Sequence, residues 1–278
     1  MKIGFFITAR LKSSRLKQKI LLDLNGNSVL DLVIKRCKKV EGLDGIVLCT
    51  STNPQDSILY DHAQRHQIKF YPGSEDDVLE RLLSAAKYYG YDAFVSITAD
   101  NPLFSTHTAQ IAVDWYKIEN FDFIFTKGIP IGCASYLIDT KALDIATYMK
   151  KETFTEIWGP FVNRSDFFKI GNINVINSPF DESKRLTCDY PEDYQLIHEI
   201  YSRFRLDYTP DLRHIFGLLE REPYLWNINS KRVQQSLDQK VLDTIHNDFN
   251  ARIDSGNEYA DKINKKLTPG IRNLEVEI

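Results

Sequence analysis

The chain has 278 residues, 43% of them hydrophobic and 26% charged, and its formal net charge is −3. That composition is ordinary for a globular protein and supplies enough apolar side chains for a sizeable core. A general nucleic-acid binder or a protein that binds anionic membranes is usually more basic, so we expect neither kind of partner.

Two further features of the sequence bear on cellular location. The four cysteines, at positions 37, 49, 133 and 188, are scattered without a C-x-x-C pair, which favours a reducing compartment over a disulfide framework or a zinc site. The apolar run at 3–9 is too short for a signal peptide, and no run reaches the roughly 20 apolar residues that a membrane helix needs. We therefore expect a cytoplasmic protein without membrane insertion.

The first half of the chain alternates short apolar runs with helical patterns, which is typical of an α/β fold with a mostly parallel sheet between helices. Strands are predicted at 3–7, 45–50, 68–71, 93–99 and 121–125, and helices at 28–40 and 76–89. Ser74, three residues before Asp77, predicts a capping box that opens the second helix.

The second half of the chain has a looser pattern. A loop at 128–132, a strand at 133–139 and a helix at 140–150 precede a mixed, aromatic segment at 153–183. A short strand around residue 186 then leads to a helix that begins at Pro191. The stretch 231–251 predicts another amphipathic helix, with apolar residues at Val233, Leu237, Leu242, Ile245 and Phe249.

This pattern predicts one main domain, which the family resemblance described below makes the catalytic domain, and a short C-terminal region. We assign the domain to 1–230, with an insertion at about 126–183. Residues 231–278 are predicted to form a C-terminal helix and a polar tail, of which 254–278 is loosely ordered.

The stretch ITARLKSSRLKQKI at 7–20 places five basic residues directly after a buried strand. Ligands of open α/β sheets bind outside the carboxyl ends of the strands. Asp100 follows strand 93–99, and Asp189 follows the short strand around 186, so both are predicted at that edge. Cations for phosphate oxygens together with carboxylates for Mg²⁺ are what a bound polyphosphate requires. Each feature alone also fits a solvated basic surface or a turn-forming aspartate; their common position favours a site.

The pair His62 and His66, one helical turn apart, could bind a metal ion. Its polar surroundings and the lack of a third ligand favour a solvated helix face instead.

The stretch 7–26 resembles the signature of the CMP-sugar synthetases, approximately A-R-x-x-S-x-R-L-P-G-K-x-L followed by a glycine. The chain over about 1–230 resembles most the spore-coat polysaccharide biosynthesis type of cytidylyltransferase, with matching stretches at 47–52, 73–79, 97–102, 155–159 and 185–193. The resemblance implies a Rossmann-like fold of the nucleotide-diphospho-sugar transferase type with an inserted arm for dimerisation or acceptor binding. It also implies a Mg²⁺-dependent enzyme that transfers CMP from CTP to a sugar acid for a surface polysaccharide or glycan and releases pyrophosphate.

The resemblance assigns roles to individual residues. The catalytic set would be Arg10, Arg15, Lys19 and Asp100. The nucleotide would contact Thr8, Ala9, Arg10, Ser14, Arg15, Lys19, Thr50, Ser74 and Thr98. Asp100 and Asp189 would bind Mg²⁺. The acceptor would contact Gly132, Glu156 and Trp158. A homodimer is expected, because the aromatic segment 153–168 stands where the resembling enzymes send an arm to a partner and the 231–251 helix has an apolar face.

The sequence departs from the family signature at two places. Lys17 and Gln18 replace its Pro-Gly pair, which predicts a less kinked and more highly charged loop. Thr98-Ala99-Asp100 stands where the Kdo enzymes have Gln-Gly-Asp, so the base and the acceptor stay open. The alternatives are a same-fold enzyme that uses another nucleotide or a sugar-phosphate acceptor, and a nucleotide-binding regulator without turnover.

Overall fold

A computed structural model describes residues 1–206, 208–234 and 238–278. The strands, in chain order, are β1 (Ile3–Thr8), β2 (Asp23–Leu24), β3 (Asn27–Ser28), β4 (Ile46–Ser51), β5 (Lys69–Gly73), β6 (Ala93–Thr98), β7 (Phe123–Lys127), β8 (Tyr136–Asp139), β9 (Lys169–Val175) and β10 (Gly270–Val276). The α-helices are α1 (Val29–Cys37), α2 (Leu59–His66), α3 (Val78–Tyr89), α4 (Thr106–Glu119), α5 (Thr140–Met149), α6 (Gly159–Val162), α7 (Pro191–Ser202), α8 (Leu212–Arg221), α9 (Gln239–Asn250) and α10 (Ile253–Lys262).

Eight of these strands form one sheet in the order β10-β9-β7-β8-β6-β1-β4-β5, in which β8 runs antiparallel to its neighbours and the other pairs are parallel. Every residue of β1 is buried, because helices cover both faces of the sheet. Phe6 packs into a core with α3 and α5, while Phe5 points into the opposite core with α1 and α4. The predicted α/β architecture is confirmed.

The predicted insertion at about 126–183 is smaller in the structure. Both β8 and β9 fall inside that range and belong to the main sheet. Residues 150–168, which contain α6, are the part that connects α5 to β9 outside the sheet. Its aromatic side chains Trp158, Phe161 and Phe167 are buried in the same core as Phe249 of α9.

The prediction of a loosely ordered tail at 254–278 was wrong. These residues contain α10 and β10, and β10 pairs with β9 along seven residues. The pairing escaped the sequence pattern because β10 is an edge strand whose side chains are largely exposed. The helix predicted at 231–251 is confirmed over Gln239–Asn250, where Ile245 and Phe249 are buried. Leu237 lies outside the described residues, and Val233 precedes the helix.

Two local predictions were also wrong. The side chain of Asp77 caps α3 by accepting the Glu80 amide, so the helix begins at Val78 rather than after Ser74. His62 and His66 do not form a solvated face: His62 is 8% exposed, and each ring has a nitrogen within 2.9 Å of Oδ1 of Asp31. That carboxylate also caps α1 together with Ser28.

Among the helices that the structure describes, we find none with the length and apolar character required to cross a membrane.

Candidate active site

The loop after β1 lines a cleft of about 520 Å³ at the carboxyl edge of the sheet. Most of the residues predicted to contact a nucleotide line it, namely Thr8, Ala9, Arg10, Ser14, Arg15, Lys19 and Thr98. Two of the predicted residues have other positions. Thr50 is fully buried within β4, and the Ser74 hydroxyl accepts a hydrogen bond from the Asp77 amide.

The backbone of this loop is held by hydrogen bonds at its start and adopts a left-handed conformation at its far end. The Ala9 amide donates to the Cys49 carbonyl at 3.0 Å, and the Leu11 amide donates to Oδ1 of Asp56 at 2.8 Å. At the far end, Gln18 has φ 49° and ψ 32°, a left-handed conformation that favours glycine. Gln18 therefore adopts a conformation that is unfavourable for a residue with a side chain, and the less kinked loop expected relative to the family signature stays a prediction.

Lys19 brings the two predicted carboxylates together. Its Nζ is hydrogen-bonded to Oδ2 of Asp100 and lies 2.7 Å from Oδ1 of Asp189. The side chain of Arg15 reaches the same Asp189 oxygen at 3.2 Å and lies over the ring of Tyr190. Three of the four predicted catalytic residues, Arg15, Lys19 and Asp100, thus meet around Asp189.

Asp189 reaches this position without the predicted strand. The segment around residue 186 has a single β-bridge, from Arg185 to Ile131, and Asp189 follows in a loop. The Cys188 amide donates to the Asp100 carbonyl at 2.8 Å, which holds the loop beside β6. Asp193, in the first turn of α7, accepts the Asp189 amide at 3.1 Å. The prediction of a strand was wrong, although the predicted proximity of the two carboxylates is observed.

The charges at this junction stabilise one another. Burial alone would lower the pKa of Lys19, but the negative charges of Asp100 and Asp189 outweigh it and raise that pKa above its ordinary value. Burial alone would raise the pKa of Asp189, but Lys19, Arg15 and Arg185 lower it. The ammonium group and the Asp189 carboxylate therefore both stay charged at neutral pH.

Arg10 and Glu156 form a second ion pair in the same cleft, with Nη2 of Arg10 at 2.8 Å from Oε1 of Glu156. Nη1 of Arg10 also donates to the Glu75 carbonyl at 2.7 Å. Glu156, predicted to contact the acceptor, thus lies on the side of the basic loop.

A second cleft of about 460 Å³ lies on the other side of Asp100. The predicted acceptor residues Gly132 and Trp158 line it, together with Tyr136 and Asp189. Thr98, Asp100 and Trp158 line both clefts. Two ligands, one bound in each cleft, would therefore lie next to each other beside Asp100.

Arg81 is a site residue that sequence reasoning missed. It lines the first cleft from α3, is 1% exposed, and donates from Nη1 to the Ser74 carbonyl at 2.7 Å. The same nitrogen approaches the Glu75 carbonyl that holds Arg10. In the predicted helix 76–89, Arg81 lies beside the apolar stripe rather than in it, so helical spacing alone does not predict its burial.

Comparison with known proteins gives a family and a fold. The sequence profile of a family described as cytidylyltransferase matches residues 5–216. An uncharacterized protein of Methanocaldococcus jannaschii is 34% identical over 238 residues, which are 85% of this chain and 98% of that protein. The spore coat polysaccharide biosynthesis protein SpsF of Bacillus subtilis is 24% identical over 228 residues, which are 80% of this chain and 95% of that protein.

Two solved structures have the same fold. A cytidylyltransferase from Leptospira borgpetersenii superposes with a TM-score of 0.74 at 22% identity, covering 85% of this chain and 100% of that one. CMP:2-keto-3-deoxy-manno-octonic acid synthetase in complex with CTP superposes with a TM-score of 0.59 at 13% identity, covering 73% of this chain and 99% of that one. They confirm the nucleotidyltransferase type of fold. Because the family profile spans most of the sequence, the chain belongs to the cytidylyltransferase family.

Proposed function

We propose that this protein is a Mg²⁺-dependent cytidylyltransferase that transfers CMP from CTP to a sugar acid and releases pyrophosphate. The observation that carries the proposal is the position of Asp100 on the wall shared by a basic cleft and a second, aromatic cleft. A nucleotidyl transfer joins two substrates at one phosphorus atom, and this arrangement gives each substrate its own cleft beside a common carboxylate.

The basic loop is suited to hold the triphosphate. Arg15 presents a planar guanidinium that can bind two phosphate oxygens at once, and Lys19 contributes a compact charge. Arg10 lies at the other side of the cleft and is positioned by the Glu75 carbonyl. These three cations would bind and orient the phosphates, as positively charged groups do in other phosphoryl-transfer sites.

Asp100 and Asp189 are the residues that would hold Mg²⁺. In the described parts of the chain no group of three or more potential ligands from His, Cys, Asp and Glu occurs. Two carboxylates do converge on one cation, the Lys19 ammonium, and oxygen ligands suit Mg²⁺, which also accepts phosphate oxygens and water. When bound, Mg²⁺ would neutralise charge that develops on the phosphates during transfer.

The second cleft would hold the acceptor. Tyr136 and Trp158 pack edge to face with ring centroids 5.4 Å apart, and such an aromatic surface can pack against the apolar face of a sugar ring. The acceptor hydroxyl oxygen would bond to the α-phosphorus while the bond from that phosphorus to the bridging oxygen breaks. Pyrophosphate leaves, and the hydroxyl proton is released.

Pyrophosphate release from a panel of substrates tests this function. Purified protein is incubated with Mg²⁺, each of the four ribonucleoside triphosphates, and sugar acids or sugar phosphates as acceptors. We expect release only with CTP and a sugar acid, and its loss in Asp100→Asn. Preference for another nucleotide or for a sugar phosphate would replace the proposal with a same-fold alternative, and CTP binding without turnover would indicate a regulator.

The product is proposed to serve a surface polysaccharide or glycan. Support comes from the relative named for spore coat polysaccharide biosynthesis. A capsule or coat that loses its acidic sugar after deletion of the gene would agree with this role, whereas an unchanged sugar composition would contradict it.

We also propose that the protein is a homodimer. Phe154 and Ile157 of the segment 153–168 are exposed by 62% and 46%, which leaves apolar surface beside the clefts for a second copy. The apolar residues Ile245 and Phe249 of α9 do not support the dimer, because they are buried in the core of their own chain. Light scattering at micromolar concentration is expected to give twice the chain mass, and a monomer would refute the proposal.

A further inference from the structure

The ammonium group of Lys19 lies between the two carboxylates that we assign to the metal ion. It is hydrogen-bonded to Oδ2 of Asp100 and lies 2.7 Å from Oδ1 of Asp189, and its side chain is 12% exposed. The position between the two carboxylates is therefore held by a cation that the protein itself supplies.

The same lysine belongs to the loop that would bind the triphosphate. Lys19 and Arg15 both line the first cleft, and both contact Asp189. Phosphate oxygens in that cleft would compete with Asp100 and Asp189 for these cations. Once Lys19 turns to phosphate, Asp100 loses the ammonium group in contact with it.

The carboxylates then need another cation. Asp189 keeps its contact with Arg185 at 3.3 Å, but that guanidinium also neutralises the buried Asp193 at 3.1 Å. Two neighbouring carboxylates of low exposure repel each other unless a cation lies between them. Nucleotide binding would thus open the position at which a divalent cation is favourable.

We propose that Lys19 acts as an internal counter-ion that excludes divalent metal from Asp100 and Asp189 until a nucleoside triphosphate draws it away. The proposal rests on the function proposed above, and it makes metal and nucleotide binding strongly and reciprocally coupled. The protein without nucleotide then binds divalent metal poorly, although both carboxylates are in place.

The experiment measures Mn²⁺ binding by electron paramagnetic resonance, first without nucleotide. We expect Lys19→Ala and Lys19→Gln to bind Mn²⁺ about tenfold or more tightly than the unmodified protein, because the competing charge is gone. Lys17→Ala removes an equal charge from the exposed part of the same loop and is expected to leave Mn²⁺ affinity unchanged. Circular dichroism confirms that each variant is folded.

The second arm repeats the titration with saturating CTP. The unmodified protein should gain at least tenfold in Mn²⁺ affinity, and the Lys19 variants should gain much less. Mn²⁺ affinity in both Lys19 variants that equals or falls below that of the unmodified protein without nucleotide would overturn the proposal. CTP binding is measured separately by equilibrium dialysis; its absence would count against the proposed function, while the metal-only arm still decides the role of Lys19.

Discussion

Nζ of Lys19 lies 2.7 Å from Oδ1 of Asp189, although 170 residues separate the two in the chain. The contact joins the loop after β1 to the loop before α7. Asp100, at the end of β6, completes the junction through its own hydrogen bond to Lys19. Three distant segments therefore meet at one charged point between two clefts.

Asparagine at position 100 or 189 is expected to reduce turnover by about a hundredfold or more, as loss of one preorganised electrostatic contact does in other enzymes. Asparagine keeps the size of aspartate and removes its charge, so the fold should persist. Initial rates of pyrophosphate release across a range of Mg²⁺ concentrations test this, with Asp114→Asn on the exposed surface of α4 as the control. A variant with normal rate and normal Mg²⁺ dependence would show that its aspartate only forms a turn.

Arg15→Lys is expected to weaken CTP binding about tenfold, although the charge is kept, because lysine lacks the planar fork that binds two phosphate oxygens. Lys12→Ala should have little effect, since Lys12 is 62% exposed and its ammonium lies 3.3 Å from Glu75. Calorimetric titration with CTP measures both affinities. Equal losses would mean that the loop acts through diffuse charge alone.

The parts of the fold that the sequence predicts well are those determined by local pattern. The first five residues of β1, 3–7, form a continuous apolar run, and the apolar spacing of α3 is helical. Helix α4 is absent from the predicted elements, although Ser105 caps it and Ala109, Ala112, Val113 and Tyr116 are buried at helical spacing. That signal was present in the sequence.

Other features depend on contacts between distant segments and leave little local trace. Asp189 is positioned by the Cys188 amide and by Asp193, so the local pattern predicts an extended strand where the chain forms a loop held by distant contacts. His62 lies in a polar stretch of the sequence, yet its ring is buried and hydrogen-bonded to the Asp31 carboxylate. Strand β10 is ordered by its partner β9, and its apolar residues are separated by polar ones and lie in a largely exposed strand, so the sequence shows no continuous apolar run there. The basic loop can be predicted because its charged residues are neighbours in the sequence. Its ion pairs cannot, because the sequence does not show which distant carboxylate contacts which basic residue.

Gln18→Gly is expected to raise the free energy of unfolding by up to about 1 kcal/mol, because glycine adopts the left-handed conformation at φ 49° without the side-chain clash. Gln64→Gly, in the exposed interior of α2, should lower it by about 1 kcal/mol. Urea unfolding of both variants measures the difference. Similar destabilisation by the two substitutions would show that Gln18 is not strained.

Asp31→Asn is expected to lower the free energy of unfolding by about 2 kcal/mol or more at neutral pH, because it removes the carboxylate that two histidines share. Burial alone would raise the pKa of Asp31, but hydrogen bonds from His62, His66 and Ser28 hold it well below its ordinary value. When the pKa of a carboxyl is lower in the folded state, it stabilises the fold at every pH above the pKa of the unfolded chain. That stabilisation is lost as the pH falls through the pKa of the folded state.

The stability gap between the unmodified protein and Asp31→Asn should therefore narrow as the pH falls from about 5 to about 3. Urea unfolding at several pH values measures it. The exposed neighbour Asp61, on α2, provides the control, since its replacement by asparagine should change stability by less than about 0.5 kcal/mol. A gap that does not change with pH would mean that the Asp31 carboxylate is not stabilised in its charged form.

Gly132→Ala is expected to damage the acceptor cleft while leaving the nucleotide cleft intact. Gly132 has φ +91°, and a Cβ there would lie 2.6 Å from the backbone nitrogen of Thr187, which lines the same cleft. The backbone would have to shift, so we expect the KM for the acceptor to rise about tenfold or more and the free energy of unfolding to fall by about 2 kcal/mol or more.

Gly90→Ala is the control that separates this clash from backbone strain. Gly90 has φ +67° with open space around it, so alanine there should lower the free energy of unfolding by only about 1 kcal/mol and leave the kinetics unchanged. Steady-state kinetics with varied acceptor at saturating CTP, and CTP affinity by calorimetry, measure the two clefts independently. If Gly132→Ala behaves like Gly90→Ala in both stability and acceptor KM, the contact between Gly132 and Thr187 does not shape the acceptor site.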